Sequence, residues 1–328
     1  MTSPAGATMN KATLRDRPHD LLKAVGFKLI SALLFVAMSA LVRQLGSVTP
    51  VGQVVFFRGV FAVIPVLLIY AWRGELTAAV MTGRPLGHLG RASLSVAGMY
   101  GSFAALARLQ LADVTAISFA SPLITVALAA LVLKERVRVY RWSAVIVGFA
   151  GVIVMLVPQF DINHYAGKAA AMAAAIGSVL ALISAFFNAG TVIQTRRLTQ
   201  TETTSSIVFY FSLGIALAGA VTLPFAWHSP TLAELVMLVT VGVFGGIGHI
   251  FLTESYRYAD ASVVAPFDYT SMLWALLLGY WVFGELPHTL VYVGGAIVAL
   301  AGLFVIWRER QIGIERAREA GGFRRPEI

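Results

Sequence analysis

The sequence predicts an all-α integral membrane protein whose ten transmembrane helices form two inverted five-helix repeats. Three observations carry that prediction: composition, the spacing of the apolar runs, and a repeat of the sequence at a nearly constant offset. Of 328 residues, 58% are hydrophobic and only 12% charged, with a mean hydropathy of +0.79. Polar side chains are too few to cover a soluble globule of this size, so lipid is the expected solvent.

A helix that crosses the hydrocarbon needs roughly 20 mostly apolar residues. Such runs lie near 24–45, 51–71, 90–109, 113–133 and 140–157 and, after the polar break PQFDINHYAGK, near 169–195, 204–226, 233–256, 261–283 and 288–307. The connections are short, which makes successive helices antiparallel neighbours. Residues 1–20 and 308–328 read as polar tails, the first of them disordered. The first apolar run ends without a small-residue cleavage site, so it is expected to be a retained helix and not a signal peptide.

Charge orients these helices. With the N-terminus inside, twenty Lys and Arg fall on the inner side, Arg91 among them in the loop before the third helix, against three outside (Arg43, Arg108 and Lys168). Lys28 and Arg58 lie within spans. Positive charge collects in cytoplasmic loops, so both termini are expected in the cytoplasm. The net charge of +9 thus has a topological role, and basic residues scattered between apolar runs do not make a nucleic-acid surface.

Shifting the chain by 153 residues aligns Leu29-Ile30-Ser31-Ala32 with Leu182-Ile183-Ser184-Ala185, and Val54-Val55-Phe56-Phe57 with Ile207-Val208-Phe209-Tyr210. At slightly smaller offsets Ala112-Asp113 matches Ala259-Asp260, Glu135 matches Glu285, and Ala144-Val145-Ile146-Val147 resembles Gly295-Ala296-Ile297-Val298. The units are 21–157 and 169–307. Five spans per unit place the second copy upside down relative to the first, the arrangement of alternating-access carriers with a site near the midplane.

The segments QVVFFRGVFA, ADVTAISFASPLITVALAALVLKER with Ala150-Gly151, and ESYRYADASVVAPFDYTSMLWALLLGYWVFGE with Ala301-Gly302 resemble the EamA-type members of the drug/metabolite transporter superfamily. The resemblance covers nearly everything from Leu21 to Trp307. It implies a ten-helix secondary transporter of a small metabolite in the bacterial inner membrane. The stretch YADASVVAPFDYTSMLWALLLGY is most similar to the riboflavin-transporter branch. Riboflavin uptake is therefore the first substrate expectation, and export of amino acids or other amphipathic metabolites the alternative.

Enzyme classes fare poorly. The chain has no cysteine, which excludes disulfides, thiolate metal sites and cysteine nucleophiles, and it lacks HExxH, GxSxG, P-loop and paired Asp-rich motifs. No metal or cofactor is expected. An intramembrane hydrolase built on His249 and Asp268 is the remaining enzymatic alternative.

The candidate site residues are polar groups at depth. Arg58 lies seven residues into the second span, roughly 10 Å deep, where an unpaired charge is costly. It reads either as a ligand for an anion or substrate, or as a structural group paired with carbonyls or an acid. Its repeat counterpart is Phe211. Lys28 is expected to snorkel to the cytoplasmic edge. If the hairpin of spans 8 and 9 turns near Ala259, His249 and Asp268 stand level near the midplane, as a proton-coupling pair or as a hydrogen-bonded pin. Glu254 is a second relay site or an interfacial acid near Arg257. Tyr269, Ser271 and Trp274 stand around Asp268, and Tyr100, Ser118, Ser121, Phe187 and Asn188 at similar depth. Flat rings beside sparse polar groups suit an aromatic solute, or else simply pack. Pro122 and Pro266 are expected to kink spans 4 and 9. Glu135 and Glu285 end spans symmetrically and are expected to cap the helix that follows each, or to serve transport. Small residues in spans 5 and 10 (Ala144, Gly148, Gly295, Ala299) read as packing or homodimer elements.

Overall fold

The computed structural model describes residues 21–46, 48–72, 74, 76–132, 138–161, 167–199, 201–258 and 264–322, and among these no strand occurs. Among the described residues ten helical spans follow one another. Span 1 is Leu21–Leu45, span 2 Val51–Trp72, span 3 Pro85–Leu106, and span 4 the pair Leu111–Ser118 and Ala120–Val132. Span 5 is Val139–Leu156, span 6 Lys168–Leu198, span 7 Thr204–Ala220 and span 8 Leu232–Tyr258. Span 9 is Thr270–Phe283 with the 3-10 turn Ala265–Tyr269 before it, and span 10 opens the helix Thr289–Gly322. Seven of these are long and apolar enough to cross a membrane by length and composition. Span 2 is 22 mostly apolar residues with Pro65 inside it, span 3 carries His88 and Arg91 in its first turns, and span 9 has only 14 residues beyond its 3-10 turn. The protein is a multi-pass membrane protein.

Local signals set several ends. Pro85 takes the first helical position of span 3, where its missing N–H costs nothing. The Thr203 hydroxyl accepts the Ser206 N–H at 3.2 Å and starts span 7. Pro122 cannot donate to the carbonyl of Ser118, and span 4 breaks at Phe119, between those two residues. Pro266 lies in the 3-10 turn and not within a continuous helix.

Packing follows the exchange of span n with span n + 5. Span 1 packs on span 8 and span 6 on span 3; span 4 packs on span 6 and span 9 on span 1; span 2 packs on span 8 and span 7 on span 3. Spans 2 and 7, and spans 5 and 10, meet across the pseudo-axis. The symmetry reaches single hydrogen bonds. Ser31 Oγ donates to the Gly248 carbonyl at 2.8 Å, and its counterpart Ser184 Oγ donates to the Gly98 carbonyl at 2.6 Å. Both serines are buried, so Ser31→Ala and Ser184→Ala should each cost about 0.5–1.5 kcal/mol in detergent unfolding. Equal losses are expected; a cost confined to one half would mean that the two bonds are not equivalent.

Spans 5 and 10 cross at bare backbone. A Cβ on Gly294 would lie 2.4 Å from the Gly151 carbonyl oxygen, and one on Gly151 2.8 Å from that of Gly294. The expected small-residue contact is therefore one position off: Gly294 meets the neighbouring span, whereas a Cβ on Gly295 would find its nearest atom 3.9 Å away. Gly148 serves a different contact, against Leu123 of span 4.

Candidate functional site

The centre of the bundle holds two guanidinium groups and no carboxylate paired with either among the described residues. Arg58 of span 2 is 3% exposed. Its Nη2 donates to His249 Nε2 of span 8 at 3.3 Å, and its Cζ stands 5.8 Å from the Phe211 ring centre in span 7. Since a guanidinium only donates, Nε2 accepts and His249 is the neutral Nδ1–H tautomer. Nε and Nη1 of Arg58 are buried without a hydrogen-bond partner. Arg91 of span 3 lies on the same ring, its Cζ 4.7 Å from the centre, and donates from Nε to Thr195 Oγ1 at 2.7 Å and from Nη1 to the Ile207 carbonyl at 3.2 Å. Phe35 of span 1 and Phe211 meet the His249 ring edge-on at 5.0 and 5.7 Å. Space for the Arg58 head exists because residue 245 is glycine: a Cβ there would stand 3.2 Å from Arg58 Cζ.

The energetics of this cluster are unbalanced. A buried cation costs several kcal/mol. A charge-assisted hydrogen bond returns about 1.5–3 kcal/mol, and a desolvated cation–π contact about 2 kcal/mol when close, less at the 5.8 Å found here. Two donor nitrogens of Arg58 remain unmet among the described residues, and each such buried orphan calls for a physical explanation.

The other predicted residues are distributed differently. Lys28 does not snorkel. Its side chain is 2% exposed and its Nζ lies 2.7 Å from Asp268 Oδ1, while the Asp268 side chain is 58% exposed. The expected His249–Asp268 pair does not form: His249 is turned to Arg58, and Asp268 sits in the 3-10 turn before span 9, held by span 1. Sequence spacing could not show this, because it assumed a continuous helix from Ala259, and residues 259–263 lie outside the described ones. Tyr269 packs edge-on against Phe119 at 5.1 Å and over Gly302, within a satellite core that includes Val152, Met155, Val291 and Val298. Trp274 and Tyr100 pack on the main core; the Trp274 Nε1 is buried without a partner, and the Tyr100 hydroxyl donates to the Ala218 carbonyl at 3.4 Å. Asn188 is exposed and donates to Ser184 Oγ at 3.3 Å. Ser121 and Glu254 are half-buried. Arg91, Phe35 and Phe211 had escaped as site residues. For Arg91 a signal existed: Pro85 as the first helical residue puts position 91 inside span 3, not in the loop before it.

Glu285 performs a different task from capping the next helix. At the end of the bundle away from the chain termini it forms an ion pair with Arg43, the last basic residue of span 1, and its Oε2 accepts the Leu111 N–H of span 4 at 3.2 Å. Arg43 also donates to the Leu106 carbonyl at 3.4 Å. Spans 1, 3, 4 and 9 are thereby tied together. Burial pushes the Glu285 carboxyl up, against the pull of Arg43 and the Leu111 N–H. Beside this contact a cavity of about 100 Å³ is lined by Arg43, Arg108, Gln110, Asp113, Gln159 and His288. Glu135 lies outside the described residues. At the other end, Glu202 meets His88 at 3.4 Å. Burial works to raise the Glu202 carboxyl, but His88, Thr82 and the Gly83 N–H together hold it below its usual range.

The chain has relatives along most of its length. The chain is 30% identical to the pseudopaline exporter CntI of Pseudomonas aeruginosa over 86% of this chain and 95% of that protein. It is 28% identical to the S-adenosylmethionine uptake transporter of Rickettsia bellii, over 89% and 98%. It is 30% identical to a riboflavin transporter of Rhizobium johnstonii, over 71% and 74%. One crystal structure superposes with a TM-score of 0.60 at 16% identity, covering 87% of this chain and 98% of the other, which shows a shared fold. The profile of the EamA-like transporter family matches twice, at residues 22–157 and 175–308, one match to each half that the symmetric serine bonds relate. The chain belongs to the EamA-like transporter family, as a membrane transporter of small metabolites.

Proposed function

We propose that the protein is a secondary carrier that works by alternating access across the bacterial inner membrane, with both termini in the cytoplasm. The observation that carries the reading is the buried Arg58–His249 cluster, assembled by spans of both repeats at the interface where alternating-access carriers bind their solutes. The Arg43–Glu285 contact then closes the periplasmic end. Positive charge in the loops on the terminal side supports the orientation.

Riboflavin uptake is the first substrate reading, favoured by the resemblance of spans 8 and 9 and by the Rhizobium relative. Export of an amphipathic amino-acid-like metabolite is the second, favoured by the Pseudomonas relative, whose likeness extends over more of both chains. Relatives are named for both uptake and export, and the sign of flux in oriented vesicles decides the direction. The carrier reading is tested with purified protein in sealed vesicles and a broad panel of metabolites. Flux of at least one is expected; hydrolysis without flux would end the reading. Growth of a riboflavin auxotroph at limiting vitamin decides the first substrate, since no rescue despite membrane expression removes it.

We infer that Asp268 carries proton coupling. Its exposed carboxylate is held by the buried Lys28, so protonation would release that pair and free spans 1 and 9 to part. Asp268→Asn should abolish accumulation driven by a pH gradient while leaving exchange between equal pools. Unchanged accumulation in this variant would remove the coupling role.

A further inference from the structure

We propose that Arg58 is the seat of a carboxylate on the transported solute, which favours the amino-acid-like substrate reading over the riboflavin one. The inference rests on the carrier reading and names the chemistry of its central site.

Arg58 is buried, and among the described residues its Nε and Nη1 have no hydrogen-bond partner. Neither it nor Arg91 is paired with an acid among the described residues, and its repeat counterpart is a phenylalanine, so no symmetric structural job demands a cation here. Its one hydrogen-bond partner, His249, is a neutral acceptor. A structural arginine is met by a carboxylate, a hydroxyl or carbonyls, as Arg43 is at the end of the bundle by Glu285 and Leu106 and Arg91 is by Thr195 and Ile207. Arg58 alone of these three keeps two donor nitrogens in reserve. A solute that brings its own anion completes the set.

The surroundings select the anion. The Phe211 ring lies beside both guanidinium groups and the His249 ring stands edge-on to it, so the neighbouring walls are flat. A planar carboxylate meets guanidinium donors in plane, whereas phosphate carries more charge than one unmet arginine answers. The rings supply apolar surface for the part of the solute next to the carboxylate.

The test has two independent arms on the purified full chain in detergent. The first compares thermal stabilisation by N-acetylphenylalanine and by its methyl ester, with benzoate against benzamide as a smaller pair and with chloride and inorganic phosphate as inorganic anions. Each carboxylate should bind at least tenfold more tightly than its neutral partner. Arg58→Gln should remove that preference and Arg58→Lys should keep part of it. Equal binding of acid and ester, binding of neither, or equal stabilisation by chloride or phosphate overturns the proposal.

The second arm needs no ligand. An unmet buried cation held for function is a strain on the empty protein, so Arg58→Met should raise the melting temperature. A lowered melting temperature would mean that Arg58 is a structural group, and would overturn the proposal. Neither arm depends on flux. Failure of the vesicle assay speaks against the carrier, whereas failure here speaks only against the carboxylate.

Discussion

Replacing Glu285 with alanine is expected to open the end of the bundle away from the chain termini. The Glu285 carboxylate meets the Arg43 guanidinium and the Leu111 N–H together, and these groups belong to spans 9, 1 and 4. The side chains of Arg43 and Glu285 are 20% and 12% exposed, between the surface pairs that contribute up to about 1 kcal/mol and buried pairs whose disruption costs about 3–5 kcal/mol. About 2 kcal/mol is the reasonable expectation, and 1.4 kcal/mol corresponds to tenfold in an equilibrium, so the open population should rise roughly thirtyfold. The absence of native cysteine gives a clean reporter: Gln110→Cys, at the cavity beside the contact, should react correspondingly faster with a water-soluble maleimide in the Glu285→Ala background. Arg43→Ala should act in the same direction, and the double variant should do little more than either alone, because one contact is being removed twice. An unchanged labelling rate would show that these spans are held by something other than this pair.

That contact illustrates which features were legible in the sequence and which were not. The ten spans, their inverted duplication and the break in span 4 follow from periodicity, repeat offset and Pro122, all of them local or one-dimensional signals. The serines at the 153-residue offset were the strongest of these signals, since Ser31 and Ser184 form the same bond in each half. Partners across the bundle were not legible. Glu285 was recognisable as a span terminus, but not as the partner of Arg43, 242 residues away. Lys28 looked like a side chain with its head in water because depth was counted along one helix; the structure gives it Asp268 from a turn that no helical register could place. Of the predicted central residues, Arg58 and His249 come together, whereas Tyr269 turns toward span 10. Depth along a helix is written in the sequence; azimuth around it is set by the neighbours, and in a helix apolar on all sides no polar stripe records it.

The two adjacent glycines of span 10 should respond in opposite ways to the same substitution. An alanine Cβ at position 294 would meet the Gly151 carbonyl oxygen and Met155 Cγ at 2.4 Å and the Met155 amide nitrogen at 2.9 Å. Two of those atoms are backbone, so the conflict is relieved only if spans 5 and 10 separate along the buried contact that contains Val152, Met155, Val291 and Val298. Overpacking of this kind costs about 1–3 kcal/mol, and sometimes more, and a contact limited by backbone belongs at the upper end. Gly295→Ala adds its methyl where the nearest atom is 3.9 Å away and gains up to about 1 kcal/mol of helix propensity. Detergent unfolding should therefore separate the neighbours by about 3–4 kcal/mol, with Gly294→Ala the less stable. Similar stabilities would mean that spans 5 and 10 do not cross on these glycines. The same pair tests whether the crossing is a fixed spine. If spans 5 and 10 stay packed while spans 1, 3, 4 and 9 open and close, Gly294→Ala should lower stability without changing the labelling rate at Gln110→Cys, because a static contact contributes equally to both states. A change in labelling would instead make the Gly151–Gly294 crossing part of the moving machinery.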